Sequence, residues 1–458
     1  MRPTLRAFLL LLGLLAARLS HTHIVWVEEA YPTAAAIQML DGKTLYREIW
    51  FDKPPLFPAL YLLWGAQIGV PLRLAGALFV FGSCVLLYVL AAQLWSPREG
   101  TVAALLLGFF LTFGIPSAVM ALAPDLLLIA PHMAAVYLAV RGRALGAGLL
   151  AGAGLLVNPK AIFVLAVCLL WTWRAWPWTL AGFALPNAAA FAWFGRPYYE
   201  EVWKWGAAYS EHGFSFATGF LRTADWLGFH AAIVVGAAWV LWKERRWRMW
   251  AWLILALTGV AAGWRFFPRY YFLLLVPICL MSSRGYVLLG RRRIVMLLLL
   301  ILPLVRFGPR YAILASDLVQ RRTHRWSDLR LSEDSAAAAR LLQDKTGSLL
   351  VWGYRPDVFA FSHMRAGTRF LDSQPLTGVL ADRHLTNSKA ALPELARNNR
   401  RELVSTRPTY IVDGLGLLNP VLAITRYPDL APWLASYREI GRTDLSIVYE
   451  LAVAPGRK

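Results

Sequence analysis

Residues Glu28 to Pro55 read EEAYPTAAAIQMLDGKTLYREIWFDKPP. An apolar run, Thr4–Leu19, leads into this stretch, and a second apolar region follows it. Two adjacent carboxylates, Glu28 and Glu29, stand where the chain is expected to leave a bilayer. Further on, Asp52 and Lys53 precede a Pro-Pro step. Each proline disfavours helix in the residue before it, so the acid and the lysine approach the apolar region in extended backbone, at a fixed depth. Acids at a membrane boundary, followed by a Lys-Pro-Pro return, predict a polar cavity open to one side of a membrane.

The composition agrees. The 458 residues are 58% hydrophobic and only 16% charged, where a soluble chain carries about a quarter charged. Apolar runs suited to a hydrocarbon core of ~30 Å are expected near 4–20, 71–94, 100–116, 123–141, 144–157, 159–173, 176–194, 227–243, 248–264, 269–284 and 293–308. The fold class expected is an all-α polytopic membrane protein with about 11 transmembrane helices. The net charge of +20 does not point to nucleic acid, because much of the basic charge sits in short loops, where lysine and arginine set topology. Cys84, Cys168 and Cys279 all fall in apolar segments and read as packing residues, not as a disulfide framework. Arg2 and Arg6, at the basic start of the first run, suggest an uncleaved signal anchor.

Basic loops place the N-terminus inside, together with Arg98, Arg141, Arg143, Arg174, Lys243 to Arg248, and Arg284 to Arg293. This count holds only if the apolar stretch Leu56–Gly69 does not span. The outer side then receives 21–70, Ile115–Asp125, Gly195–Trp226 and everything beyond about 309. Residues 1–309 are expected to form the membrane domain, and 310–458 a small α/β domain on the extracytoplasmic side. In that tail SLLVWGY, PTYIVDG and LSIVYEL read as strands, SEDSAAAARLLQDK as a helix, and VQRRTHRWSDLR as an exposed connector.

Several outer residues are candidates for chemistry. Glu28 and Glu29 begin a helix with Pro32 near its start. They either complement the helix dipole or supply a partly desolvated general base. Asp125, in ALAPDLLLIAPH, heads an apolar span, as a helix-start residue or as part of a polar site. Asn158-Pro159-Lys160 breaks an apolar pair, and its lysine is placed to snorkel or to meet a phosphate. Arg265, Arg269, Tyr270 and Tyr271, in GWRFFPRYYFLL, suit interfacial anchoring or phosphate recognition. His21 and His23 have an HxH spacing that alone favours a solvated pair over a metal site. No phosphate-binding glycine loop or nucleotide fingerprint is present.

The order of first span, acidic pair, amphipathic helix ending in ML-x-G, then aromatic-acid-Lys-Pro-Pro resembles the membrane glycosyltransferases of the GT-C superfamily. The nearest branch is glycosyltransferase family 39 and its bacterial relatives: protein O-mannosyltransferases, aminoarabinose transferases of lipid A and the RgtA/B/C/D-like group. The matching positions are Glu28-Glu29, Asp52-Lys53-Pro54, Asp125, Asn158-Pro159-Lys160 and Arg269-Tyr270-Tyr271, within about residues 1–310. Glu28 stands where those families carry Asp, and Lys160 follows Asn-Pro instead of Thr.

The resemblance implies inverting transfer of a sugar from a polyprenyl-phosphate donor to a glycan, lipid or protein hydroxyl. The host would be a multi-pass protein of a bacterial inner membrane, with its site facing the periplasm. It implies Glu28 as base, and Glu29 and Asp125 orienting acceptor or metal. Lys53, Lys160, Arg265, Arg269 and Tyr270 would hold the lipid phosphate, and Asp52 would be a candidate ligand for Mg²⁺, Mn²⁺ or Zn²⁺. The competing reading is a transporter or flippase for a lipid-linked or anionic substrate. That reading requires midplane sites and two related halves, and the sequence carries no such duplication.

Overall fold

Away from water, each backbone N–H must find its partner within its own segment, so apolar runs without breakers fold as helices. The computed structural model describes residues 3–211, 213, 215–320, 326, 329–384 and 388–452. Arg2 and most of the expected connector at 319–330 lie outside them.

Four helical stretches among the described residues are long and apolar enough to cross a membrane: Val70–Leu94, Ala161–Ser210, Pro268–Leu288 and Gly290–Asp317. A fifth is added if Phe216–Phe229 and Ala231–Glu244, bent by 91°, count as one span. The expectation was about eleven. The difference arises because several expected spans are short helices cut by breakers. Pro97–Phe110 has 14 residues and Ala144–Leu155 has 12. The apolar helices Pro124–Val140 and Trp247–Ala261 are also shorter than a full span. Expected spans 159–173 and 176–194 run on through a tight turn at Trp173–Ala175. Leu56–Gly69 is helical over Leu56–Trp64 only, too short to span.

Small residues let neighbouring helices meet at backbone distance. A Cβ added to Gly148 would lie 2.0 Å from the Thr179 carbonyl oxygen, and one added to Gly182 would lie 2.3 Å from that of Leu145. Helices Ala144–Leu155 and Trp176–Tyr198 therefore touch through their main chains.

Helix Ile301–Gln320 runs through the expected boundary at 309/310, and the first helix of the tail is Arg330–Arg340. The tail is built on a five-stranded sheet: β1 (Ser348–Trp352), β2 (Arg365–Ala366), β3 (Tyr410–Asp413), β4 (Tyr437–Arg442) and β5 (Ile447–Leu451). The order is β2-β1-β3-β5-β4, with β2, β1 and β3 parallel and β5 antiparallel to both its neighbours. The three expected strands are β1, β3 and β5. Strand β4, YREIGR, lacks an apolar alternation because it lies at an edge and is largely exposed.

The tail docks directly on the opening stretch of the sequence. The Gln38 carboxamide donates to the Met364 carbonyl (3.2 Å) and accepts from the Ala366 N–H (2.7 Å). The Lys43 ammonium donates to the Ala366 carbonyl.

Candidate active site

Helix Val27–Leu40 carries both acids in its first turn. Consecutive helical residues point about 100° apart, and the two carboxylates go to different places. Glu28 lines a cavity and accepts a hydrogen bond from Arg269. Glu29 is fully buried and lines neither cavity described below. It forms a bidentate pair with Arg73, at 2.5 and 3.0 Å, and accepts from the Trp26 backbone N–H at 3.1 Å. Arg73 also donates to the carbonyls of Ile24 and His21. Glu29, expected to orient acceptor or metal, is instead saturated by a structural partner. Arg73 was missed from the sequence, although an arginine in VPLRLAG, inside an apolar span, is a signal in itself.

The Asp125 carboxylate is the hub of the cavity. Lys160 Nζ donates to its Oδ1 at 2.8 Å and Asn158 Nδ2 to the same oxygen at 3.1 Å. Arg269 Nε lies 3.7 Å from its Oδ2, so one guanidinium bridges Glu28 and Asp125. The Asn158-Pro159 break positions this lysine: Asn158 Oδ1 accepts from the Lys160 backbone N–H at 3.0 Å, closing the turn. The Lys160 ammonium sits 2.8 Å from the centroid of the Tyr270 ring. Lys53 pairs with Asp52 at 2.5 Å and remains about 40% exposed. Arg265 is buried, with its guanidinium 4.1 Å from the Tyr209 ring centroid.

Glu28, Asp52, Lys53, Asp125, Lys160, Arg265, Arg269 and Tyr270 thus line one cavity of about 520 Å³. A second cavity, of about 390 Å³, shares Glu28, Asp52, Lys53, Arg269 and Tyr270 and is lined in part by tail residues such as Arg355, Gln374 and Leu415. Tyr354, immediately beyond the carboxyl end of β1, lines both. It too was missed; ligand sites gather at the carboxyl ends of parallel strands, and SLLVWGY ends in the residue that uses this rule.

Among the described residues no group of three or more His, Cys, Asp or Glu side chains is placed to hold a metal. Asp52 holds Lys53, Asp125 holds Lys160, and Glu28 holds Arg269. His21 is buried between the Ala17 carbonyl and the Arg310 guanidinium. This donor set does not fit a divalent ion as arranged. It suits an anion received by several cations, and no step below is routed through a metal.

Asp372, in the tail, interacts electrostatically with Asp52. Burial pushes its carboxyl up from 3.8 to about 7; the Gln374 backbone N–H opposes the shift and the Asp52 charge adds to it. The unfolded chain ionises near 3.8 and the folded chain near 7. The contribution is therefore present below 3.8 and lost as pH rises to about 7. The melting temperature is expected to fall between about pH 4 and about pH 7, and Asp372→Asn to flatten that slope. An equal slope in the variant assigns it to other groups.

No protein-family model matches the sequence, and no curated protein matches it. Solved structures do. ArnT from Cupriavidus metallidurans bound to undecaprenyl phosphate superposes with a TM-score of 0.60 and 12% identity, over 99% of this chain and 99% of that one. Its apo form gives 0.57 and 14%, with the same coverage. An oligosaccharyltransferase from Archaeoglobus fulgidus aligns over 96% of this chain and 73% of its own, at a TM-score of 0.47 and 13% identity. End to end, the chain has the fold of ArnT, the GT-C fold that the acid, lysine and arginine pattern resembles.

Proposed function

We propose that the chain is an integral membrane glycosyltransferase that moves a sugar from a polyprenyl-phosphate donor to an acceptor hydroxyl, with inversion, on the extracytoplasmic face of a bacterial inner membrane. One observation carries this reading. Glu28, Lys53, Asp125, Lys160 and Arg269 come from separate segments and line a single cavity bordered by apolar side chains such as Phe57, Ile162 and Phe163.

A carboxylate Oε of Glu28 takes the proton of the acceptor hydroxyl. The freed oxygen pair forms the new bond to the anomeric carbon, and the bond from that carbon to the phosphate oxygen breaks. The electron pair leaves with the polyprenyl phosphate, whose charge meets Lys53, Lys160, Arg265 and Arg269. Arg269 has a double role. While it binds Glu28 it occupies the carboxylate oxygen that would take the proton. An arriving donor phosphate competes for the same guanidinium fork, so donor binding releases Glu28 for proton abstraction. Asp125 keeps Lys160 and Arg269 aimed into the cavity, and Glu29 holds the helix that presents Glu28.

Incubation of purified protein with a panel of polyprenyl-phosphate sugars is expected to release free polyprenyl phosphate and to leave a glycosylated acceptor. Movement of the intact donor across vesicle membranes, with no covalent transfer, overturns the reading in favour of a transporter.

A further inference from the structure

The backbone at Phe51–Lys53 is held at both ends, and both holds lead to one arginine of the tail. At one end the Phe51 N–H donates to Glu201 Oε2 at 2.9 Å. At the other the Tyr46 hydroxyl donates to the Lys53 carbonyl at 2.7 Å. Arg369 Nη2 donates both to Glu201 Oε1 and to the Tyr46 carbonyl, the latter at 2.7 Å. The Trp50 N–H returns a bond to the Arg369 carbonyl at 2.8 Å. Tyr46 is fully buried and has a φ of +65°. A bulky residue adopts that conformation only where its surroundings impose it, and such strain concentrates at functional sites. Glu201, on the segment Tyr199–Lys204, and Arg369 lie far apart in sequence, and neither lines the two cavities.

We propose that Arg369 is a positioning residue for the lipid-phosphate site: through Tyr46 and Glu201 it fixes Phe51–Lys53, and so sets where the Lys53 ammonium meets the donor phosphate. The proposal rests on the glycosyltransferase reading for the identity of the donor. It makes the tail a working part of the membrane site.

The test compares wild type with Arg369→Ala, Arg369→Lys, Tyr46→Phe, Lys53→Ala and the double variant Lys53→Ala/Arg369→Ala. Binding of undecaprenyl phosphate in detergent and sugar transfer are both measured. Arg369→Ala is expected to weaken lipid-phosphate binding about tenfold, Arg369→Lys to recover part of the loss, and the double variant to bind no worse than Lys53→Ala alone. A merely structural arginine gives additive losses, and additivity overturns the proposal. Should Arg369→Ala fail to fold, Tyr46→Phe, which deletes only the bond to the Lys53 carbonyl, decides it. A several-fold loss of binding supports the clamp, and unchanged binding refutes it. The two readings fail separately. Wild type that binds the lipid phosphate without transferring sugar removes the enzyme and leaves the clamp testable by binding. Wild type that transfers sugar, with variants that bind as it does, removes the clamp alone. Absence of binding in wild type removes both.

Discussion

Glu28→Gln lowers sugar transfer by about 10²–10⁴-fold while the protein stays folded. The amide oxygen still accepts from Arg269, which holds Glu28 in the structure, so the cavity keeps its shape. What is lost is the basic oxygen that, on the proposed mechanism, removes the acceptor proton. On the proposed mechanism donor binding is expected to tighten, because a neutral amide competes less than a carboxylate with the phosphate for the Arg269 guanidinium. The check is a purified variant with wild-type melting behaviour, assayed for release of free polyprenyl phosphate. Wild-type turnover takes the base role away from Glu28.

Glu29→Gln, one residue on, has the opposite profile. The Glu29–Arg73 pair is almost wholly shielded from solvent, with side-chain exposures of 0% and 1%. Removing one charge leaves the Arg73 guanidinium without a counter-ion in a dry interior, which costs about 3–5 kcal/mol. A large fall in thermal stability and in the yield of folded protein is expected, with whatever activity remains proportional to the folded fraction. Normal stability with lost turnover places Glu29 in the chemistry and refutes the division of labour drawn here. On the proposed roles, the two variants separate catalysis from architecture within two residues.

Much of the cavity was legible in the sequence because its members carry local signatures. Asp52-Lys53-Pro54-Pro55 and Asn158-Pro159-Lys160 each join a charge to a proline that fixes its backbone, and Asp125 follows a proline at the start of a helix. Composition and spacing could not tell the acids at 28 and 29 apart, and the resemblance alone singled out Glu28, since which one faces the cavity depends on the rotation of helix Val27–Leu40 against Arg73. Glu201 and Arg369 belong to segments whose contact with the site is made by tertiary folding, and no spacing in the chain announces it, whereas Tyr354 carries the one signal of closing an expected strand. The tail strands β1, β3 and β5 were readable from apolar runs, whereas the two-residue β2 and the polar edge strand β4 carry no such pattern. Hydropathy registers an apolar run without registering where it is interrupted, so several expected spans are helices shorter than 18 residues in the structure.

The position of Tyr354 in the wall of the cavity ties the site to the far end of the chain. The strand before it, β1, pairs with β3, which in turn needs β5 at Ile447–Leu451 to fill its other edge. The strand order β2-β1-β3-β5-β4 therefore makes the wall at Tyr354 depend on residues as far along the chain as Leu451.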